Sequence, residues 1–369
     1  MAEPRRPVNP TTARGRGAQQ NPTNRFESQS LHVLGDHLDE LLRDEHTDPA
    51  GRQIQTLVLR DQSRSILNPV DSPDIGFAWS INPYRGCEHG CIYCYARPGH
   101  EYLGLSSGLD FETKIFAKPD APDLLRKELA RPRWYGETIA MSGVTDCYQP
   151  VERKLRITRG CLELFADCRQ PVGIVTKSRL VLRDLDLLKT LAEHDAVRVA
   201  VSLTTLDKKL AAKMEPRAAS PADRLETIRQ LSAAGIPVIA MLAPIVPALN
   251  DREIPALLKA SAEAGAASAS YVMLRLPYQI KDLFTDWLTE HFPDRRSHVE
   301  KLLRESRSGK LYDAQFGDRM KGTGPYAEQI AQTVRIFKQR YNLNRPLRPM
   351  SSASFRRPQK DKNQLTLFE

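Results

Sequence analysis

No stretch of the 369-residue sequence approaches the roughly 20 consecutive apolar residues that a membrane-crossing helix needs, so no spanning helix is expected. The opening residues, Met1-Ala2-Glu3-Pro4-Arg5-Arg6, lack the apolar stretch of a secretory signal, and a reducing, cytoplasmic location is the default expectation. Cysteine is scarce. Six in a chain of this length do not make the dense disulfide framework of small secreted domains. No internal repeat at a solenoid or propeller period is present, which removes the stacked-repeat architectures.

What remains is a globular composition. The hydrophobic fraction of 41% supports a sizeable core, and the length suits one large domain or two ordinary ones. A net charge of +9 fits a polyanionic partner, DNA or another nucleic acid, but much of the excess sits near the ends, where it also serves to solubilise. Residues 1–27 are rich in Pro, Gly, Asn, Gln and Arg with almost no apolar content, and read as a disordered basic tail. Residues 347–369 read as a second flexible tail until the last few positions.

Between the tails, brief β-branched runs alternate with helical patterns. The runs are Phe77–Ile81, Thr138–Met141, Val172–Val175, Val197–Val201, Val238–Leu242 and Ser270–Met273, as strands buried on both faces should be. Among the helical segments, Asp184–His194 carries Leu185, Leu188 and Leu191 on one face. Another is opened by the cap Ser220 and first-turn Pro221 and stopped by Gly235, and Asp251–Ala264 stops at Gly265. Six strand–helix units argue for a parallel β/α architecture. A closed eightfold barrel needs about 250 residues, and the clear repeat here spans only about 200, so a partial (β/α)6 barrel within residues 60–275 is the preferred reading. Residues 276–346 read as a helical extension, with Ile280, Leu283, Phe284, Trp287 and Leu288 forming an apolar stripe.

The chemistry concentrates in Arg85-Gly86-Cys87-Glu88-His89-Gly90-Cys91-Ile92-Tyr93-Cys94-Tyr95. Its cysteines are spaced C-x3-C-x2-C directly after the first strand, on the face where barrel enzymes carry their sites. Thiolates are the natural ligands of iron–sulfur clusters, which usually take four. Three local cysteines therefore leave one iron open for substrate or cofactor. Gly86 and Gly90 let the backbone wrap a bulky group closely. The alternative is structural zinc with His89 or His100 as fourth ligand, but zinc motifs bring C-x2-C pairs and no second pair exists here.

This loop resembles the signature of the radical S-adenosylmethionine (SAM) superfamily. The resemblance implies a [4Fe-4S] cluster on Cys87, Cys91 and Cys94 whose open iron is chelated by SAM. It also implies one-electron cleavage of SAM to methionine and a 5′-deoxyadenosyl radical, with an external electron donor such as flavodoxin or ferredoxin. Over about residues 60–275 the chain further resembles the spore photolyase branch, and within it the PA0069-type bacterial subfamily.

Four short blocks carry that second resemblance. In the first, Tyr93 is implied to contact the SAM adenine, and Tyr95 either joins a hydrogen-atom relay or packs in the barrel. The second is Met141-Ser142-Gly143-Val144-Thr145-Asp146-Cys147-Tyr148-Gln149-Pro150. There Ser142, Thr145 and Asp146 replace the common Gly-Gly-Glu stretch that holds the SAM ammonium. Val144 falls where spore photolyases place a hydrogen-donating cysteine, which puts dimer-splitting chemistry in doubt. Cys147 is either a substitute donor or a core cysteine. In the third block, Lys177 and Ser202 are implied to meet the SAM carboxylate, the lysine being otherwise a solvated strand-end residue. In the fourth, Met214-Glu215-Pro216-Arg217, the resemblance implies Glu215 and Arg217 near the ribose or carboxylate, the alternative being a surface ion pair. Pro244, Asn250 and Asp251 line the same rim, while Cys161 and Cys168 read as core.

The chain ends Gln364-Leu365-Thr366-Leu367-Phe368-Glu369, and Gln364, Leu365, Leu367 and Phe368 resemble the bacterial sliding-clamp-binding motif. Alternatively, the three apolar residues fold back onto the barrel. The leading functional expectation is a radical SAM enzyme acting on nucleic acid, in the manner of a DNA repair photolyase. Modification of a protein, tRNA or small molecule is the second reading, and a non-catalytic metal-binding module the third.

Overall fold

The protein's structure, a computed structural model, describes residues 13–26 and 54–358. Six strands run parallel in chain order: β1 (Trp79–Ile81), β2 (Ile139–Met141), β3 (Val172–Thr176), β4 (Val197–Ser202), β5 (Val238–Ile245) and β6 (Ser268–Met273). The short segment Asn68–Pro69 adds an antiparallel edge against β1. Among the described residues β6 does not return to pair with β1, so the sheet stays open. The α/β class and the parallel sheet expected from the six apolar runs are what the chain forms.

Register explains why those runs are so apolar. Ile81, Met141, Ile174, Val199 and Val238 are successive cross-strand partners, all buried in one core beneath the helices. Each such side chain contributes about 1.5–3 kcal/mol on full burial. The opposite row, Ser80, Ala140 and Gly173, is small and lines the inner face. Three covering helices are Leu185–Ala192, Pro221–Ala233 and Ile254–Glu263. The second begins as its sequence predicts, with Ser220 Oγ accepting from Asp223 N at 3.2 Å. After β6 the helix Ile280–His291 buries all five residues of the expected stripe, and Pro293–Glu305 and Gly324–Arg340 follow. A small three-stranded sheet, Leu57–Arg60, Lys114–Ala117 and Tyr84–Arg85, was not anticipated, and it braces the start of the cysteine loop.

The ends depart from expectation. Residues 13–26, read as part of a disordered tail, lie against the cysteine loop with Ala13, Arg16, Ala18 and Asn24 buried. At the other end, residues 347–358 pass beneath the N-terminal edges of the strands. Arg198 Nη2 donates to Arg348 O at 2.5 Å, Ser351 N to Asp195 O at 3.0 Å and Arg356 N to Cys168 O at 2.9 Å. Composition misjudges both segments because it cannot count the hydrogen bonds to distant backbone and carboxylate groups that help to order them. Gln364, Leu365, Leu367 and Phe368 lie outside the described residues.

Candidate active site

The cysteine loop leaves the C-terminal end of β1 and is pinned on every side. Gly86 has φ +78°, and a Cβ there would fall 2.9 Å from Phe111 O. Cys87 N donates to that same carbonyl at 2.9 Å, and Ile92 N to Met214 O at 3.1 Å. Gln149, from the loop after β2, accepts from Glu88 N at 2.9 Å and donates to Gly86 O at 3.1 Å. Both glycines singled out in the sequence adopt positive φ, Gly90 at +66°. Their freedom serves close approach by neighbouring chain.

The three thiols are free, Cys87 and Cys91 buried and Cys94 partly exposed. Burial pushes the Cys87 thiol well up and that of Cys91 to about 12, although Lys177 pulls Cys91 down. Thiolates here need a cationic partner, and the irons of a cluster supply one. Both histidines proposed as zinc ligands have a ring nitrogen against a protein oxygen. His89 Nδ1 faces Asp146 Oδ2 at 3.3 Å, and His100 Nε2 lies 3.0 Å from Lys114 O, its ring against Phe111 and Phe116. Among the described residues, no three His, Cys, Asp or Glu side chains converge as a single-ion site. The donor set fits a sulfur-bridged cluster better than a lone ion.

Beside the loop sits a buried charge cluster. Glu215, 2% exposed, accepts from Tyr93 OH and from Thr204 Oγ1 at 2.8 Å, and pairs with Arg224 at 2.5 Å. Burial raises its carboxyl, but Arg224 and then Lys177 outweigh that and hold it below the ordinary range. Burial likewise lowers the Lys177 ammonium, yet Cys91 and Glu215 leave it net raised and charged. Lys177 Nζ stands 5.8 Å from the Tyr93 ring centroid and makes no ion pair among the described residues. A held cation with no carboxylate of its own is suited to a ligand's carboxylate.

Other sequence-predicted residues are engaged with the protein. Asp146 accepts from Thr176 Oγ1 at 2.8 Å, Lys177 N at 2.7 Å and Tyr148 N at 2.9 Å, knotting β3 to the cysteine loop through His89. Thr145 Oγ1 donates to Tyr84 O at 3.2 Å, and Ser142 Oγ accepts from Cys147 N at 2.9 Å. Ser202 offers its carbonyl to Arg224 Nη1 at 3.1 Å. Arg217 pairs with Glu88 at 3.3 Å, so Glu215 and Arg217 do not form the surface pair considered above. Asn250 bridges Thr204 O and Pro244 O, each at 2.9 Å, whereas Asp251 accepts from Tyr326 OH at 2.9 Å. Cys147 is fully buried in the core with Cys161 and Cys168, and Tyr95 is 48% exposed at the mouth. Tyr95 OH donates to Gly143 O at 2.5 Å, and the Arg275 guanidinium lies 5.0 Å from its ring.

The sequence profile of the radical SAM superfamily matches residues 81–260, the span holding this loop and these strand ends. A Mycobacterium tuberculosis protein described as uncharacterized is 37% identical over 244 residues, covering 65% of this chain and 72% of its own length. The chain belongs to the radical SAM superfamily. A second relative, from Methanocaldococcus jannaschii, is 31% identical over 196 residues, covering 53% of this chain and 70% of that protein. Among solved structures, spore photoproduct lyase with bound AdoMet and dinucleoside spore photoproduct superposes with TM-score 0.54 at 17% identity, over 77% of this chain and 78% of that one. The lyase complexed with dinucleoside spore photoproduct gives 0.55 at 16%, with the same coverage. At such identity the likeness is one of fold.

In this radical SAM chain, Arg224, Thr204, Gln149 and Glu112 were missed by sequence reading. Arg224 lies on a capped helix and looked like a solvated charge. Gln149 stood in a quoted block but carried no signal of its own. Only the resemblance carried by the Met214–Arg217 block hinted at the buried cluster.

Proposed function

We propose that this chain holds a [4Fe-4S] cluster on Cys87, Cys91 and Cys94, binds SAM beside it, and acts on nucleic acid. The observation that carries the reading is the juxtaposition of the three-thiol loop with the Lys177 ammonium, which acts on Cys91 and makes no ion pair among the described residues, at the C-terminal rim of the parallel sheet. When bound, the cluster supplies one electron that cleaves SAM to methionine and a 5′-deoxyadenosyl radical. Lys177 would hold the SAM carboxylate, with Cys91 and Glu215 keeping the ammonium charged and Arg224 fixing Glu215 in place. Tyr93, fixed by Glu215, presents its ring on the same side. A nucleic-acid target is supported by the net charge of +9 and by the stacked Tyr95–Arg275 pair at the mouth, a surface suited to bases and phosphates. The lyase fold, whose solved examples bind a dinucleoside photoproduct, supports the same target class.

Anaerobic reconstitution followed by dithionite and SAM tests the chemistry through release of 5′-deoxyadenosine. Cys87→Ala, Cys91→Ala or Cys94→Ala should each abolish it, and release by any of these variants at the wild-type rate removes the cluster assignment. Lys177→Ala should keep the iron while weakening SAM by about 1.5–3 kcal/mol, the worth of a hydrogen bond to a charged group. Deuterated nucleic acid tests the target: label should pass into 5′-deoxyadenosine, and labelled protein or metabolite pools should pass none.

A further inference from the structure

We infer that residues 16–20 are a positioning strap for the cysteine loop, fastened on Glu112, which sets how tightly the loop closes round the group its thiols hold. Glu112 is fully buried. Its two carboxylate oxygens accept from Gly17 N at 2.9 Å and Ala18 N at 2.7 Å, and pair with Arg97 Nη2 at 2.5 Å. Arg97, equally buried, donates from Nε to Cys91 O at 3.0 Å. One carboxylate thus ties the strap to the backbone of a cluster ligand through a single arginine.

The contact is backbone on backbone. A Cβ added to Gly17 would fall 1.8 Å from Gly90 O, and one added to Gly90 would fall 2.6 Å from Glu112 Oε2. No side chain fits between the strap and the turn joining Cys87 to Cys91. Arg16 ties the strap from its other side, Nη1 donating to Glu112 O at 2.8 Å and Nη2 to Ile54 O at 2.7 Å. Ala18 is buried in the same apolar cluster as Cys91 and Ile92. These features make the strap a cover for the loop's outer side. Solvent and oxygen then reach the cluster at a rate set by how often loop and strap open together.

The inference rests on the reading that the three cysteines bear a cluster, which iron content of the wild-type chain tests by itself. The strap is tested on the full chain, reconstituted anaerobically, with Gly17→Val, Glu112→Gln and Glu112→Asp. Bleaching of the iron–sulfur absorption on exposure to air is followed alongside trypsin cleavage at Arg14 and Arg16. Gly17→Val should take up wild-type iron under argon, become cleavable at both arginines, and bleach about tenfold faster, the factor given by about 1.4 kcal/mol of lost local stability. Glu112→Asp should bleach more slowly than Glu112→Gln, because it keeps the charge for Arg97. Circular dichroism checks folding. Should Gly17→Val be unfolded, Arg16→Gln, which loses only the outer ties, carries the same test, with trypsin cleavage followed at Arg14 alone. Bleaching within about twofold of wild type in the folded variants overturns the proposal, whether or not trypsin cuts.

Discussion

The segments 13–26 and 347–358 share a composition, basic and poor in apolar residues, but different forces hold them at opposite ends of the sheet. The first is held by polar groups: two backbone N–H groups and Arg97 meet the buried Glu112 carboxylate, and Arg16 donates to the backbone carbonyl of the same residue. The second is held by shape and carbonyls. Phe355 packs so closely over Gly136 that a Cβ there would come 2.7 Å from its ring, and Arg357 Nη2 donates to Pro132 O at 2.6 Å and Trp134 O at 3.1 Å. Met350 and Phe77 meet at Gly173, at the inner face. A charge-centred clamp fails abruptly when its centre is removed, whereas a packed segment fails in proportion to the surface lost.

The sharpest way to break the comparison is Glu112→Ala. It leaves Arg97 buried without a counter-charge and frees the strap, at a cost on the order of 3–5 kcal/mol in urea unfolding, and iron retention should fall with it. If stability drops by less than about 1 kcal/mol, the polar centre is not what holds this end.

Acid should act next most strongly, and at the same end. Burial lowers His100 from 6.5 to about 4, although Lys114 O raises it somewhat, and its ring lies 3.0 Å from where a Gly86 Cβ would sit. The folded chain binds this proton less readily than the unfolded one. Stability from this group is therefore complete above pH 6.5 and drains as pH falls toward 4, by up to about 3 kcal/mol. Subtracting the pH–stability curve of His100→Gln from that of wild type should isolate the loss. A flat difference between these pH values contradicts it.

Phe355→Ala should have the smallest effect. The side chain is only partly buried, so the loss should be about 1–3 kcal/mol, below that of a full core phenylalanine. Iron content and air bleaching should stay at wild type, because the segment lies at the opposite end of the strands. A change in bleaching would show that the two ends are coupled.

The six strands and their covering helices were legible because burial on both faces forces β-branched runs, and because Ser220-Pro221 and Gly235 mark helix ends chemically. The cysteine loop was legible from spacing alone. What stayed hidden is the buried ionic scaffold. Glu112, Arg97 and Arg224 look in sequence like any solvated charge, and only tertiary pairing makes their burial tolerable. Glu215 was placed near the site by resemblance, with a surface pair to Arg217 as the alternative, and its partner is Arg224, nine residues on. Both terminal segments were misread for the same reason, since composition counts apolar side chains and cannot count backbone hydrogen bonds.

Gly17 precedes Glu112 by 95 residues, and that separation orders events during synthesis. At about 5–20 residues per second, the strap emerges from the ribosome some seconds before the carboxylate that will receive it exists. The cysteine loop, made late in that interval, is uncovered from its own synthesis until Glu112 follows. Until then the outer side of the loop is open, and the older segment can fold back over it only afterwards.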